Sequence, residues 1–174
     1  MFTLRCTQKL LRRGLKEPLV PLDGPTTLLG DWYANILFVR PQQLVLCVSE
    51  RTLLPVVLPV RDIATLTNRL PEAAAEVMAA VGVPPASIKA EVEAMCACNV
   101  GRTASKRVLG SLNEMVFLLE AGLQHDPERS LLQQSLSLAQ TPLKLLEYDA
   151  PDRATQALFL SSEVLRTARE KRAS

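Results

Sequence analysis

Polar side chains that could bind an anion are concentrated between residues 103 and 114. Ser105 is the natural N-cap of a predicted helix, and Lys106 and Arg107 follow it in the first turn. Free backbone N–H groups and the helix dipole favour negative charge at such a position. The segment therefore predicts a phosphate- or carboxylate-binding site, and its ligand-binding candidates are Thr103, Ser105, Lys106, Arg107, Ser111 and Asn113.

The competing interpretation of the same segment is a well-capped, buried helix. In that case Gly110 allows close packing, and Ser111 and Asn113 bond to neighbouring backbone. Satisfied buried polar groups are commoner in proteins than binding sites are. The sequence leaves both interpretations open.

A second polar segment, residues 30–35, lies in an otherwise apolar predicted strand. Alternation along a strand places Asp31, Tyr33 and Asn35 on one face. Asparagine is unfavourable in mid-strand, so Asn35 needs a side-chain partner or a ligand and is a further ligand-binding candidate. Asp31 and Glu50 are the catalytic candidates, as base or metal ligand of an enzyme that acts on a phosphate-containing substrate. That hypothesis requires the two polar segments to converge in space.

Familiar catalytic and metal-binding patterns do not occur in the chain. It contains no G-x-x-x-x-G-K-[ST], G-x-G-x-x-G, G-x-S-x-G or H-E-x-x-H sequence, and its single histidine, His125, is predicted to be a solvated loop residue. The four cysteines include one C-x-C pair but lack zinc-ligand spacing, so we predict reduced thiols, no metal site and no cofactor.

Length and charge limit the class of protein. A chain of 174 residues with 48% hydrophobic and 22% charged residues predicts one globular domain, residues 1–174. The first 16 residues carry a charge of +5 and residues 166–174 carry +3, which leaves −6 between them for a net charge of +2. No apolar run approaches the roughly 20 residues that span a bilayer, and the first 16 residues lack the apolar region and cleavage site of a secretory signal, so we predict that they are folded structure. We expect a cytoplasmic protein with no membrane partner.

The elements that must position the polar segments follow from periodicity. The predicted strands are 2–7, 31–39, 44–49, 53–58 and, more weakly, 98–101. Pro55 and Pro59 predict that the 53–58 strand is at a sheet edge or ends early. The predicted helices are 8–14, 71–81, 87–96 with Ser87 as cap, a central buried helix from residue 105, 127–139, and a last segment from 152. Residues 17–30 are predicted to be a loop. The expected fold is α+β, with an antiparallel sheet (the 31–58 meander and the N-terminal strand) packed on a mainly helical C-terminal half.

Four short motifs in this order resemble those of an uncharacterised bacterial family of unknown function. They are the start Phe2 to Leu11, the block Gly30 to Asn35, the segment Leu44 to Pro59 with its core Glu50 to Leu54, and Val108 to Glu114. The family motif that corresponds to residues 103–114 reads T-N-N-R-S-V-L-G-S-M-N-D, and Ala104 and Ser105 stand here in place of its two asparagines. The resemblance covers about residues 1–120 and implies no mechanism. Beyond it, periodicity and charge predict a helical extension over about 127–165 and a basic tail at 166–174.

Three functions remain open on the sequence. The first is a binding module for nucleic acid or another phosphate-bearing ligand, which the basic ends and the 102–107 cluster favour. The second is the enzyme described above. The third is one component of a protein pair, such as a toxin–antitoxin system, or a homo-oligomer. Its contact surface would be the leucines of the C-terminal helices: Leu131, Leu132, Leu136, Leu138, Leu143, Leu145 and Leu146.

Overall fold

A five-stranded sheet organises the chain. The computed structural model describes residues 1–16 and 23–173, and side chains as far as residue 171. The strands are β1 (Phe2–Cys6), β2 (Trp32–Val39), β3 (Gln42–Ser49), β4 (Pro55–Pro59) and β5 (Cys98–Arg102), in the spatial order β4-β3-β2-β1-β5. The predicted loop falls between β1 and β2, and its residues 17–22 lie outside the described residues.

The sheet is mixed, so the prediction of a purely antiparallel sheet is wrong. Strands β2, β3 and β4 form the predicted antiparallel meander. Strand β1, however, pairs in parallel with both β2 and β5. The stretches of chain between β1 and β2 and between β1 and β5 are long and contain helices, as parallel neighbours require. The meander has hairpin-length turns instead. The α+β class and the mainly helical C-terminal half are as predicted.

In the part of the chain that the structure describes, six helices cover the sheet. They are α1 (Gln8–Leu11), α2 (Leu66–Ala80), α3 (Pro85–Ala94), α4 (Lys106–His125), α5 (Leu131–Ala139) and α6 (Pro151–Ala173). One apolar core contains Trp32 and Ala34 and packs on α1, α2, α3 and α6, and the other contains Tyr33 and packs on α4. The predicted alternation of faces along β2 is therefore confirmed. Within the described residues, no helix is both long and apolar enough to cross a bilayer.

Strand β4 is an edge strand, as its prolines predict. Val60 donates its N–H to Gln43 of β3 at 2.9 Å, and Val57 donates to the Ser135 hydroxyl of α5 at 2.9 Å. Because N–H groups alternate along a strand, Pro55 and Pro59 occupy the other two positions whose N–H would point away from β3. This edge therefore offers no free N–H to a further strand.

Three predicted helix starts are wrong. Helix α2 begins before Pro71, because a 3-10 turn at Ile63–Thr65, capped by the Asp62 carboxylate, leads directly into it. Helix α3 begins at Pro85, and the hydroxyl of Ser87 donates to Glu163 instead of capping. Helix α5 begins at Leu131, because Ser130 forms a capping box with Gln133.

Helix α4 is capped by Ser105, as predicted, but it is not buried on more than one side. The Ser105 hydroxyl accepts the N–H of Val108 at 3.3 Å. One stripe of the helix packs on the sheet, and the opposite side is open, with Phe117 70% exposed. Only one side of α4 meets the sheet, so the expectation of a central buried helix is wrong.

The leucines predicted to form a partner surface contact the chain itself. Leu138 and Leu143 are buried, and Leu131, Leu132, Leu136, Leu145 and Leu146 are half-buried against the two cores. The basic tail continues α6, whose last buried large apolar side chain is Phe159.

Candidate functional site

The two polar segments meet in the structure. The hydroxyl oxygen of Tyr33, in β2, accepts the backbone N–H of Ser105 at 3.1 Å. Burial raises the pKa of Tyr33, although this hydrogen bond lowers it in part. The phenol is therefore neutral at physiological pH, and it fixes the start of α4 against the sheet.

Asp31 is the centre of a buried polar cluster, which we call the Asp31 cluster (Thr3, Arg5 and Asp31). Its Oδ1 accepts the N–H of Thr3 at 2.9 Å, and its Oδ2 accepts Nε of Arg5 at 2.9 Å. The Asp31 side chain is 3% exposed and that of Arg5 is 23% exposed. Arg5 also donates to the carbonyl of Arg102 at 3.4 Å. The cluster therefore ties β1, β2 and β5 together.

Glu50 lies in the turn after β3, directly against the start of β2. Its N–H donates to the Asp31 carbonyl at 2.8 Å, and its Oε2 accepts the Asp31 N–H at 3.4 Å. Gly30 permits this approach, because it has φ +81° and a Cβ there would lie 3.2 Å from the Glu50 Oε2. The half-buried Glu50 carboxylate is thus held beside the Asp31 cluster.

A groove of about 370 Å³ opens between this turn and the start of α4, and we call it the α4 groove. Its lining residues are Glu50, Arg51, Leu53, Ser105, Arg107, Val108, Leu145 and Leu146. Arg51 donates to the Leu28 carbonyl at 3.0 Å. Among the residues that the structure describes, neither Arg51 nor Arg107 lies within ion-pair distance of a carboxylate. The groove is therefore lined by two arginines, one glutamate and an apolar wall.

The backbone at the start of α4 adds hydrogen-bond donors. The N–H of Ser105 is taken by Tyr33 and that of Val108 by the capping hydroxyl. The N–H groups of Lys106 and Arg107 have no acceptor in the described part of the chain. A helix of 20 residues directs the positive end of its dipole at this point.

The remaining sequence-predicted candidates lie outside the α4 groove. The Oδ1 of Asn35 is engaged by the residue that follows β1, because it accepts the Thr7 hydroxyl at 2.9 Å. Thr103 is half-buried ahead of α4, and Ser111 is buried on its inner stripe. Lys106 and Asn113 are exposed on the outer side of the helix. The structure thus brings together Glu50, Ser105 and Arg107.

Sequence reasoning did not select Arg51, Leu53, Leu145 or Leu146 for the groove. Arg51 and Leu53 belong to the motif that includes Glu50, so their position in the 50–54 turn was the available signal. The two other leucines lie in a 3-10 turn at Lys144–Leu146, and nothing local marks them as groove residues.

The cysteines lie apart from the groove. Burial raises the pKa of Cys98 to about 12 and holds that of Cys47 well above its ordinary value, so both remain protonated thiols. Within residues 1–16 and 23–173, no three side chains of the His, Cys, Asp and Glu types are grouped as metal ligands.

The chain belongs to a family of domains of unknown function, DUF6933, which matches residues 3–154. No curated protein and no solved structure matches the chain. The prediction of an uncharacterised family is confirmed at this level, and the match continues past residue 120 into the helical half. The four motifs and the bacterial origin stay predictions.

Proposed function

We propose that this chain is a binding module for a phosphate-bearing ligand, which it holds in the α4 groove. The observation that carries the proposal is the convergence of Arg51 and Arg107, from distant parts of the sequence, on a concave surface where the described residues supply only one carboxylate. Guanidinium groups match phosphate oxygens in geometry as well as in charge. Unpaired cations beside a helix N-terminus are disfavoured in the free protein and favoured once an anion binds.

The groove also indicates the size and shape of the ligand. Its volume of about 370 Å³ lies in the range of small-molecule sites. Leu53, Leu145 and Leu146 form an apolar wall, and Glu50 offers an acceptor for a hydroxyl. A phosphate group attached to an organic body that carries hydroxyls, such as a nucleotide or one end of a nucleic acid, matches these surfaces better than free phosphate does.

Titration calorimetry on the full chain tests the proposal. The probes are inorganic phosphate, a nucleoside monophosphate and a short single-stranded oligonucleotide, each measured at two salt concentrations. We expect at least one organic phosphate to bind, and Arg107→Ala to weaken its binding about tenfold or more, as loss of a charged hydrogen bond does. Affinity that falls steeply with salt only for the oligonucleotide would identify nucleic acid as the ligand.

Arg61→Ala is the matched control, because Arg61 is exposed and does not line the α4 groove. It should leave binding unchanged. Equal affinity of Arg107→Ala and wild type, or no binding of any phosphate compound at millimolar concentration, would contradict the proposal.

An enzyme is the second candidate, and Glu50 is the observation that favours it. Glu50 lines one groove together with two arginines, and a carboxylate with cations in the same groove can act as a general base beside charge-stabilising groups. Asp31 is poorly suited to this role, because its buried oxygens already accept hydrogen bonds from Thr3 and Arg5. Glu50→Gln separates the two candidates: a binding module keeps its affinity for the ligand and shows no turnover in either form, whereas an enzyme loses turnover.

A further inference from the structure

Two features on the outer side of α4 have no explanation within the chain. Phe117 is 70% exposed, the highest fraction among the exposed large apolar side chains of the described residues. Gly110 lies in the interior of the same helix, and a Cβ added there would meet nothing within 4 Å. Glycine is the poorest helix former apart from proline, and here neither close packing nor an unusual φ requires it. Such local conflicts are expected where another molecule binds.

These two residues belong to one stripe along the helix, which we call the outer stripe of α4. It consists of Lys106, Gly110, Asn113, Phe117 and Glu120, at successive spacings of four, three, four and three residues. Such spacing keeps side chains on one face of a helix. Leu109 and Val116 are half-buried along one side of the stripe and extend its apolar area.

The charges of the stripe are separated. Lys106 is at one end and Glu120 is at the other, each seven residues from Asn113. Neither side chain has an ion-pair partner among the described residues. The glycine and the phenylalanine also lie on opposite sides of Asn113, three and four residues away. When two copies of α4 run antiparallel, the outer stripe of one is therefore complementary to the outer stripe of the other.

We propose that a second copy of this chain packs antiparallel against the outer stripe of α4, about a twofold axis that passes close to Asn113. In this arrangement the Phe117 ring of each copy covers the open backbone at Gly110 of the other. Lys106 of each copy faces Glu120 of the other, and the two Asn113 amides meet at the axis. An interface of this kind is isologous, and the amide pair would fix its register.

The observations favour a second copy over other occupants. Binding of an unrelated protein would not require a protruding Phe117 and an open Gly110 at nearly equal distances on the two sides of Asn113. A nucleic acid would meet the carboxylates of Glu114 and Glu120 on this side of the helix. Arg107 lies about 100° around the helix from Lys106 and lines the α4 groove, so the interface leaves the proposed ligand site open.

Size-exclusion chromatography with light scattering, across micromolar concentrations of the full chain, tests the proposal. We expect a reversible dimer, because a stripe of one helix gives an interface at the small end of the specific range. Lys106→Glu and Glu120→Lys should each raise the dissociation constant about tenfold or more, and the double variant should restore dimerisation. The two side chains are about 21 Å apart along one helix, so restoration requires a pair between copies.

Lys9→Glu is the control, because it reverses the same charge at an exposed position on α1, away from the outer stripe of α4, and it should leave the dissociation constant unchanged.

Phe117→Ala and Gly110→Leu should both give monomers. Gly110→Leu should also melt no lower than wild type when both are monomeric, because leucine is the better helix former. A wild-type chain that is monomeric throughout, a dimer that neither substitution affects, or charge reversals without rescue in the double variant would each overturn the proposal.

Discussion

The Asp31 cluster and the start of α4 are neighbouring polar regions with opposite properties. In the Asp31 cluster, a carboxylate that is 3% exposed uses both oxygens, one for a backbone N–H and one for Arg5. At the start of α4, Lys106 and Arg107 are exposed, and no described carboxylate pairs with them. Tyr33 and the Glu50 turn lie between the two regions.

The difference in burial and pairing separates residues that stabilise the fold from residues that destabilise it slightly. The Asp31 carboxylate holds β1 against the start of β2, and removing it would strand a buried donor and a partly buried cation. The cations of α4 oppose the helix dipole and are useful only if something negative binds to them. The residues most visible to sequence reasoning as catalytic, such as Asp31, can therefore be structural.

The largest effect that this comparison predicts is for Asp31→Ala. We expect the free energy of unfolding to fall by about 3 to 5 kcal/mol, because the substitution leaves the Thr3 N–H and the Arg5 guanidinium without their acceptor. Urea denaturation measures it, and Asp23→Ala, at an exposed position, is the control. A loss below about 1 kcal/mol would show that Asp31, like the exposed α4 cations, is not needed for stability, and it would contradict the proposed difference between the two regions.

Glu91→Gln tests a second satisfied carboxylate. The Oε2 and Oε1 of Glu91, in α3, accept the N–H groups of Leu28 and Leu29 at 2.8 and 2.9 Å. Glutamine can accept only one of them with its carbonyl oxygen, so we expect a loss of about 1 to 3 kcal/mol. Thermal and urea unfolding at fixed pH measure the change, and Glu93→Gln, exposed on the same helix, is the matched control.

The difference in stability between wild type and Glu91→Gln should depend on pH, and the sign of that dependence follows from the pKa of Glu91. Burial raises the pKa of Glu91 above 4.5, although its two backbone hydrogen bonds lower it in part. The folded state then binds more protons than the unfolded state between the two pKa values, so this group's contribution to stability falls as the pH rises through that window. The advantage of wild type over Glu91→Gln should be largest in acid and should shrink toward neutral pH. An advantage that grows with pH would show that the pKa is lowered instead.

Ser105→Ala has a smaller expected effect and acts at the boundary between the two regions. The Ser105 hydroxyl caps α4 through Val108 at 3.3 Å, a long hydrogen bond, so we expect a loss of about 0.5 to 1 kcal/mol. Ser105→Asn, which retains a capping acceptor, should recover most of it. Full stability of the alanine variant would mean that Tyr33 alone positions the start of the helix.

The sequence predicted the parts of the fold that depend on local patterns. The β2 to β4 meander, the proline-marked edge and the Ser105 cap all follow from alternation, proline chemistry and capping chemistry. The parallel pairing of β1 was missed, because direction relative to β2 depends on the connection between them and no residue within β1 encodes it. The one-sided burial of α4 was missed because Phe117 is apolar yet exposed.

The site could be predicted only in part for a similar reason. Ser105 and Arg107 were found from helix-terminus chemistry, and Glu50 as a carboxylate that could act as a base or metal ligand. Whether Asn35 and Asp31 were free for a ligand depended on Thr7, Thr3 and Arg5, which are more than 20 residues away in sequence. Only the tertiary structure shows that these polar groups are satisfied.

The smallest stability effect, and the sharpest contrast with Asp31, is expected for the Lys106→Ala, Arg107→Ala double variant. Each cation opposes the helix dipole by about 0.3 to 1 kcal/mol, so the double variant should melt no lower than wild type at concentrations where both are monomers. Its affinity for the phosphate-bearing ligand should be lost. The single variants should divide the effects, with Arg107→Ala losing the ligand and Lys106→Ala losing the dimer. A clear drop in melting temperature with binding retained would show that these cations, like Arg5, are structural.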